Sequence, residues 1–197
     1  MNKMIKLGLT LAAYAVASCF CLALVNNLTA PAIAKQQSDN LSKGLKIVFA
    51  DADKFEPVTD FPASKTASID AMYIAEKGGK VTGAVTKITG ATYDKATMLV
   101  GQDLNGTITG VQFLELSDSP GFGQKAKDSS YAISTGKTFY GQFAGKKVQD
   151  GFTTGSTFEA ISGATITSKG VGVLLTEATA AAGSYLAEKH GGAKVTK

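Results

Sequence analysis

Glu159-Ala-Ile-Ser-Gly-Ala-Thr-Ile-Thr-Ser168 is a turn that runs into a helix. Four hydroxyl residues, Ser162, Thr165, Thr167 and Ser168, crowd the point where that helix begins. A helix start leaves its first backbone N–H groups without intrahelical partners, and small hydroxyl side chains often answer them. The same free amides, backed by the positive end of the helix dipole, also suit a phosphate. Plain helix capping and an anion site are both open from these residues alone. Downstream, Val171, Leu174, Leu175, Ala178, Ala182 and Leu186 recur at helical spacing. The pattern predicts a helix over residues 167–189, ended by Gly191-Gly192. Gly170, Gly172 and Gly183 weaken it on propensity and point to close packing against a neighbour or a ligand.

Upstream the chain reads as β. Residues 71–75, 81–89, 97–100 and 107–116 are rich in Val, Ile, Thr and aromatics. Asn105-Gly106, between the last two runs, signals a hairpin turn because such turns need positive φ. Ser117-Asp-Ser-Pro-Gly-Phe-Gly123 follows as a turn-rich loop. Residues 126–150 mix short helical hints with Phe139, Tyr140 and Phe143, whose expected place is the core. Leu41, Leu45, Val48 and Phe49 predict a short helix over 39–50. Residues 54–68, with two prolines and several small polar residues, read as a connection. The expected class is α+β: an antiparallel twisted sheet flanked by helices, with one N-terminal transmembrane helix.

That last helix comes from residues 7–34, which carry no charged side chain. Residues 7–25 are strongly apolar, close to the roughly 20 residues needed to cross a bilayer. Lys3 and Lys6 precede them, so the expected topology is single-pass with a cytoplasmic N-terminus. Lys35, Lys43 and Lys46 follow, and lysine counting alone does not set the orientation. The short basic N-terminus and the long domain behind the helix favour export of that domain. Ala32-Ile33-Ala34 has the form of a signal-peptide cleavage site, and Val16-Ala17-Ser18-Cys19 that of a lipoprotein signal. The long apolar run and the apolar residues after Cys19 speak against both. Cys19 and Cys21 lie inside this segment, so they cannot form a disulfide framework for the exported part. They read as small packing residues, the alternative being a metal or cluster shared with a neighbouring protein. The expected division is residues 1–34 (N-terminus and membrane helix), 35–68 (helix and linker) and 69–197 (the functional domain).

Composition narrows the chemistry. The chain has 197 residues and a formal charge of +4, yet all 20 basic residues are lysine. Nucleic-acid sites rely on arginine's planar fork, so its absence argues against a DNA or RNA partner. His190 is the single histidine and sits beside Gly191-Gly192, where a solvated tail is expected. Histidine metal sites and a Ser-His-Asp triad are thereby set aside, and no catalytic or metal-ligating residue is assigned.

Ser162-Gly163-Ala164-Thr165, followed by Ile166-Thr167-Ser168, resembles the flavin-attachment motif of a family of FMN-binding domains. That family contains the G subunit of the Rnf complex and the C subunit of the sodium-pumping NADH:quinone reductase. Its motif reads Asp-x-x-Ser/Thr-Gly-Ala-Thr, and the last threonine carries FMN through a phosphoester. The resemblance puts the attachment on Thr165 and sets Glu159 in the aspartate place, one methylene longer. Asp118-Ser119-Pro120-Gly121-Phe122-Gly123 is similar to the family's Glu-Thr-Pro-Gly-Leu-Gly loop. The order of membrane helix, strands, loop, motif and closing helix agrees as well, and the short length looks more like the Rnf protein.

The resemblance implies a cofactor site built from Thr165 (covalent FMN), Glu159, Ser162, Gly163, Ala164, Thr167 and Ser168. Backbone N–H groups from Gly163 to Thr167 hold the phosphate, and Ser119, Pro120, Gly121, Phe122 and Gly123 lie against the flavin ring. Phe122 packs on the ring or, on the plainer alternative, in the core. Lys125 is a surface lysine or a charge beside the flavin. A separate flavin transferase supplies FMN from FAD. The implied partners are the other integral and peripheral subunits of an Rnf complex, which couples ferredoxin–NAD electron flow to sodium or proton movement. The implied location is the cytoplasmic (inner) membrane, with the C-terminal domain on the periplasmic or extracellular side. Two other readings stand beside this one: an exported flavoprotein that reduces a small acceptor, and a non-redox surface protein in which the motif only caps a helix.

Overall fold

A computed structural model describes residues 2–192, and the chain divides into two compact units, Met1–Ser42 and Lys43–Lys197. The first unit is helical from Lys3 onward. It is occupied by α1 (Lys3–Val48), a single helix of 46 residues that ends inside the second unit. The separate helix expected over residues 39–50 is therefore the end of α1. Residues 35–40, Lys-Gln-Gln-Ser-Asp-Asn, contain neither glycine nor proline, and nothing in them breaks the helix. Pro31 lies within α1 and removes one backbone donor, which leaves a carbonyl one turn back without its usual partner. Thr10 and Thr29 donate their hydroxyls to the carbonyls of Lys6 (2.8 Å) and Val25 (2.9 Å). Leu7, Leu9, Leu11, Val16, Phe20, Leu22, Leu24 and Val25 are all exposed. The helix is long and apolar enough to cross a membrane.

The second unit is built on an open antiparallel sheet in the order β1-β2-β3-β4-β5. The strands are β1 (Lys54–Val58), β2 (Ser68–Lys77), β3 (Lys80–Ala91), β4 (Lys95–Asp103) and β5 (Ile108–Leu116). The four predicted β runs are β2 to β5. β1 falls in the stretch expected to be a connection. It is an edge strand, paired only with β2, and an edge tolerates Pro57 because one side of the strand needs no donor. The β4–β5 hairpin turns at Asn105-Gly106, where Gly106 has φ +70°. Asp103 clasps that turn by accepting the N–H groups of Asn105 (2.9 Å) and Thr107 (2.7 Å). All connections in the sheet are local, so strand order follows chain order.

One face of the sheet carries α2 (Thr165–His190), which packs on β3 and β4. Val171, Leu174, Leu175 and Ala178 meet Ile88, Met98 and Val100 in the main core. Phe139, Phe143, Phe152 and Phe158 extend that core as edge-to-face pairs, the nearest being Phe143 and Phe158 at 5.1 Å. Phe139 and Phe143 take the core places expected of them. Gly170 lets α2 reach the turn after β3: a Cβ there would lie 2.6 Å from the Cα of Thr92. Gly191 ends α2 at φ +67°, and the N–H of Gly192 returns to the Leu186 carbonyl at 3.0 Å.

The opposite face receives the last turn of α1. Gly44, Leu45 and Val48 are buried there, together with Phe49. Glycines make the room. A Cβ on Gly101 would sit 2.6 Å from Val48 Cγ1, one on Gly110 2.9 Å from the Val48 carbonyl oxygen, and one on Gly83 2.7 Å from Phe49 Cε2. Gly101→Ala should therefore lower stability by about 1–3 kcal/mol, the usual range for overpacking. Thermal unfolding of the detergent-solubilised full chain reads this as a lower melting temperature, and an unchanged one contradicts the packing described.

Candidate functional site

A cleft of about 440 Å³ opens between the start of α2, loop 118–123 and the turn from β3 to β4. Tyr93, Ser119, Phe122, Gly123 and residues 163–167 line it. Its size falls within the roughly 300–1,000 Å³ of small-molecule sites.

The walls are joined at Asp118, which is fully buried. Its Oδ1 accepts the Thr92 hydroxyl (2.6 Å) and the Asp94 N–H (2.9 Å). Its Oδ2 accepts the Thr167 hydroxyl (2.5 Å) and the Tyr93 N–H (3.2 Å). One carboxylate thus ties the β3–β4 turn and the start of α2 to its own loop. Burial pushes its pKa up, but hydrogen bonds from Thr167, Thr92, Asp94 and Tyr93 outweigh burial and hold the carboxyl below its ordinary range. Gly123 keeps this junction tight: a Cβ there would lie 2.6 Å from Asp118 Cβ and 2.7 Å from Thr167 Oγ1.

The hydroxyls at the helix start divide into two kinds. Thr167 and Ser168 are buried and engaged. Thr167 donates to Asp118; Ser168 donates to the Ala164 carbonyl (3.0 Å) and accepts the Ile161 N–H (3.0 Å), which closes the preceding turn. Thr165 and Ser162 are exposed. The N-cap position is Ala164, and no side chain caps α2. Plain helix capping is thereby corrected: the buried hydroxyls brace the turn, and the exposed ones make no hydrogen bond among the described residues. The first bond into the helix runs from the Ser168 N–H to the Ala164 carbonyl (3.0 Å). The N–H groups of Thr165, Ile166 and Thr167 have no partner among the described residues. No acidic residue lies in the first turn. Thr165 lines the cleft with its hydroxyl unbonded.

Aromatic surface completes the cleft. Phe122 is 56% exposed, so it is not a core residue. Gly163, at φ +78°, lies under its ring, with the position of a Cβ only 3.0 Å from Phe122 Cδ1. Lys125 is partly buried, its Nζ 6.0 Å from the Phe122 ring centre and 5.2 Å from that of Tyr131. Ser119 lines the cleft, whereas Pro120 and Gly121 (φ +77°) shape the turn that presents Phe122. Free amides at a helix start, a threonine hydroxyl and exposed aromatic rings together fit a phosphate-bearing aromatic cofactor.

Glu159 stands apart from these residues. Its carboxylate accepts the Ser134 N–H (3.0 Å) and the Ser134 hydroxyl, and those bonds hold it below the ordinary carboxyl range. Gln142 grips the same residue by its backbone, through the Glu159 N–H (2.8 Å) and carbonyl (3.1 Å). Glu159 therefore shapes the approach to the motif and does not line the cleft. Ser162 does not line it either. Three residues escaped the sequence reading as site members: Asp118, Tyr93 and Ile166. Asp118 stands in the quoted loop, but its partners lie in distant parts of the chain.

Asp118→Asn places an amide N–H₂ against two donors and should cost about 1–3 kcal/mol of stability. The pH dependence has a defined sign. The folded carboxyl lies below the unfolded value of about 3.9, so its contribution is complete above that value and is lost as pH falls through the folded pKa. Melting temperature against pH should fall more steeply on the acid side for the native chain than for Asp118→Asn. Parallel curves contradict this.

Comparison with known proteins agrees with this geometry. The FMN-binding domain family matches residues 93–180, and the RnfG N-terminal region matches residues 1–48. The G subunit of the ion-translocating oxidoreductase complex of Vibrio vulnificus is 31% identical over 188 residues, covering 87% of this chain and 85% of the relative. The G subunit of the Na(+)-translocating ferredoxin:NAD(+) oxidoreductase complex of Acetobacterium woodii is 31% identical over 186 residues, covering 84% and 85%. The Escherichia coli K12 counterpart is 31% identical over 184 residues, with 84% of each chain covered. An FMN-domain match that begins in the cleft at Tyr93, and relatives aligned along most of their length, lead to one conclusion: this chain belongs to the family of G subunits of ion-translocating oxidoreductase complexes.

Proposed function

We propose that this chain is the electron-transfer G subunit of an Rnf-type complex and carries FMN covalently on Thr165. The observation that carries the reading is the state of the motif's hydroxyls. Thr167 and Ser168 are consumed by the scaffold, and Thr165 lines the cleft with a free hydroxyl beside three unpartnered N–H groups. FMN, when bound, supplies one- and two-electron redox chemistry.

The chain's own residues attach and orient. The Thr165 oxygen forms a bond to the phosphorus of the FMN half of FAD, the bond to AMP breaks, and AMP leaves. The hydroxyl proton passes to a base of the flavin transferase, since the single histidine, His190, lies at the other end of α2. The amides of Thr165, Ile166 and Thr167 then face the phosphate, and the dipole of α2 favours its charge. Phe122 offers a ring face to the flavin. Asp118 keeps the loop and the helix start in register.

The longer α1 serves as a membrane anchor in this reading, with the N-terminus cytoplasmic and the FMN domain on the periplasmic or extracellular side of the cytoplasmic membrane. Its exposed apolar side chains face lipid and the integral subunits of the complex. Electrons pass through the flavin between neighbouring subunits, within a complex that links ferredoxin and NAD to ion movement. The non-redox reading takes the motif as a helix cap only, and the absence of a side-chain cap on α2 supports the flavin reading over it.

The test is the mass of the Thr165 peptide from protein made in its own host. The expected gain is one FMN less one water, localised to Thr165 and abolished in Thr165→Ala. An unmodified peptide from membranes with active flavin transferase overturns the covalent assignment.

A further inference from the structure

Tyr93 is an aromatic side chain of the cleft without an evident structural task. It sits in the turn between β3 and β4 and is 64% exposed. Its backbone is pinned: its own N–H and that of Asp94 bond to Asp118, as does the hydroxyl of Thr92. Its phenol makes no hydrogen bond and its ring no aromatic or cation contact among the described residues. The ring of Phe122, by contrast, has Lys125 and Gly163 beside it, although more than half of it is exposed. A firmly held backbone that presents a bare aromatic ring to a cleft is poorly explained by packing, because exposure of so large an apolar face brings no stability.

We infer that Tyr93 is a ring-contact residue for the flavin, stacking on the isoalloxazine from the turn between β3 and β4; this rests on FMN as the ligand. Asp118 then has a second consequence. By holding the Tyr93 N–H and the Thr167 hydroxyl on the same carboxylate oxygen, it sets the spacing between the ring contact and the phosphate end of the site. A planar aromatic ligand carrying a phosphate fits both ends at once.

Fluorescence separates contact from mere proximity. A tyrosine touching an excited flavin gives it an electron, which then returns, so emission is quenched with no net oxidation. Phenylalanine is much harder to oxidise and does not do this, although its ring still stacks. The measurement uses the full chain from its own host, at matched FMN content by intact mass, as native protein, Tyr93→Phe and Tyr93→Leu. Emission should be several-fold stronger in both variants than in the native chain. In parallel, free FMN is titrated onto the unmodified chain, where Tyr93→Leu should weaken binding by about two- to tenfold and Tyr93→Phe should not. The exposed ring predicts unchanged melting temperatures, which separates a lost contact from a lost fold. Equal emission from all three proteins, with equal affinity for free FMN, overturns the inference. If the native chain carries no FMN on Thr165 yet binds free FMN in the Tyr93-dependent way, the attachment reading fails and the ring contact stands. If it neither carries nor binds FMN, both fall.

Discussion

Asp118 accepts four hydrogen bonds from two places that lie far from it in sequence, and the cleft exists because they meet there. Thr92, Tyr93 and Asp94 bring the turn between β3 and β4; Thr167 brings the start of α2. A buried carboxylate is tolerated only when its lone pairs are answered, and here donors reach both oxygens. Glycines allow the approach. Gly123 admits the carboxylate and the Thr167 hydroxyl together, and Gly170 brings α2 against Thr92. These contacts leave the loop, the turn and the helix start little freedom to shift separately.

The same junction explains why the start of α2 is free to receive an anion. Helices usually recruit a hydroxyl or carboxylate to cap their first amides. Here Thr167 turns inward to Asp118 and Ser168 braces the preceding turn, so neither caps the helix. The side chain of Ala164, at the N-cap, has no acceptor. The amides stay open, Thr165 stands beside them, and no acidic side chain in the first turn competes for the positive end of the dipole. Two buried hydroxyls and one carboxylate thus brace a site whose unbonded hydroxyl is that of Thr165.

Much of this was legible in the sequence, for identifiable reasons. β2 to β5 and α2 have clear periodicity, and Asn105-Gly106 marks a turn whose φ requirement glycine meets. The Ser-Gly-Ala-Thr motif and the Pro-Gly-Phe-Gly loop both border the cleft. β1 was hidden because an edge strand with a proline and mixed polarity resembles a connection. The continuity of α1 was hidden because residues 35–40 are polar, and polarity there ends the apolar pattern without ending the helix. The role of Asp118 could not be seen because a carboxylate's partners are set by folding, 24 to 49 residues away in the chain. Tyr93 escaped for the same reason: in sequence it is one residue of a turn, and only the closure onto Asp118 brings it to the cleft. Glu159 shows the converse, a motif position whose side chain is taken by Ser134.

Hydrogen exchange at the amides of Thr165, Ile166 and Thr167 probes the central claim at the atoms concerned. Exchange is compared between unmodified chain and flavin-carrying chain from the native host. The account predicts fast exchange at these three amides in the unmodified protein and marked slowing when the flavin is attached, with the middle of α2 unchanged. Equal exchange rates in the two forms, with the flavin present by mass, would contradict a phosphate held at the start of this helix.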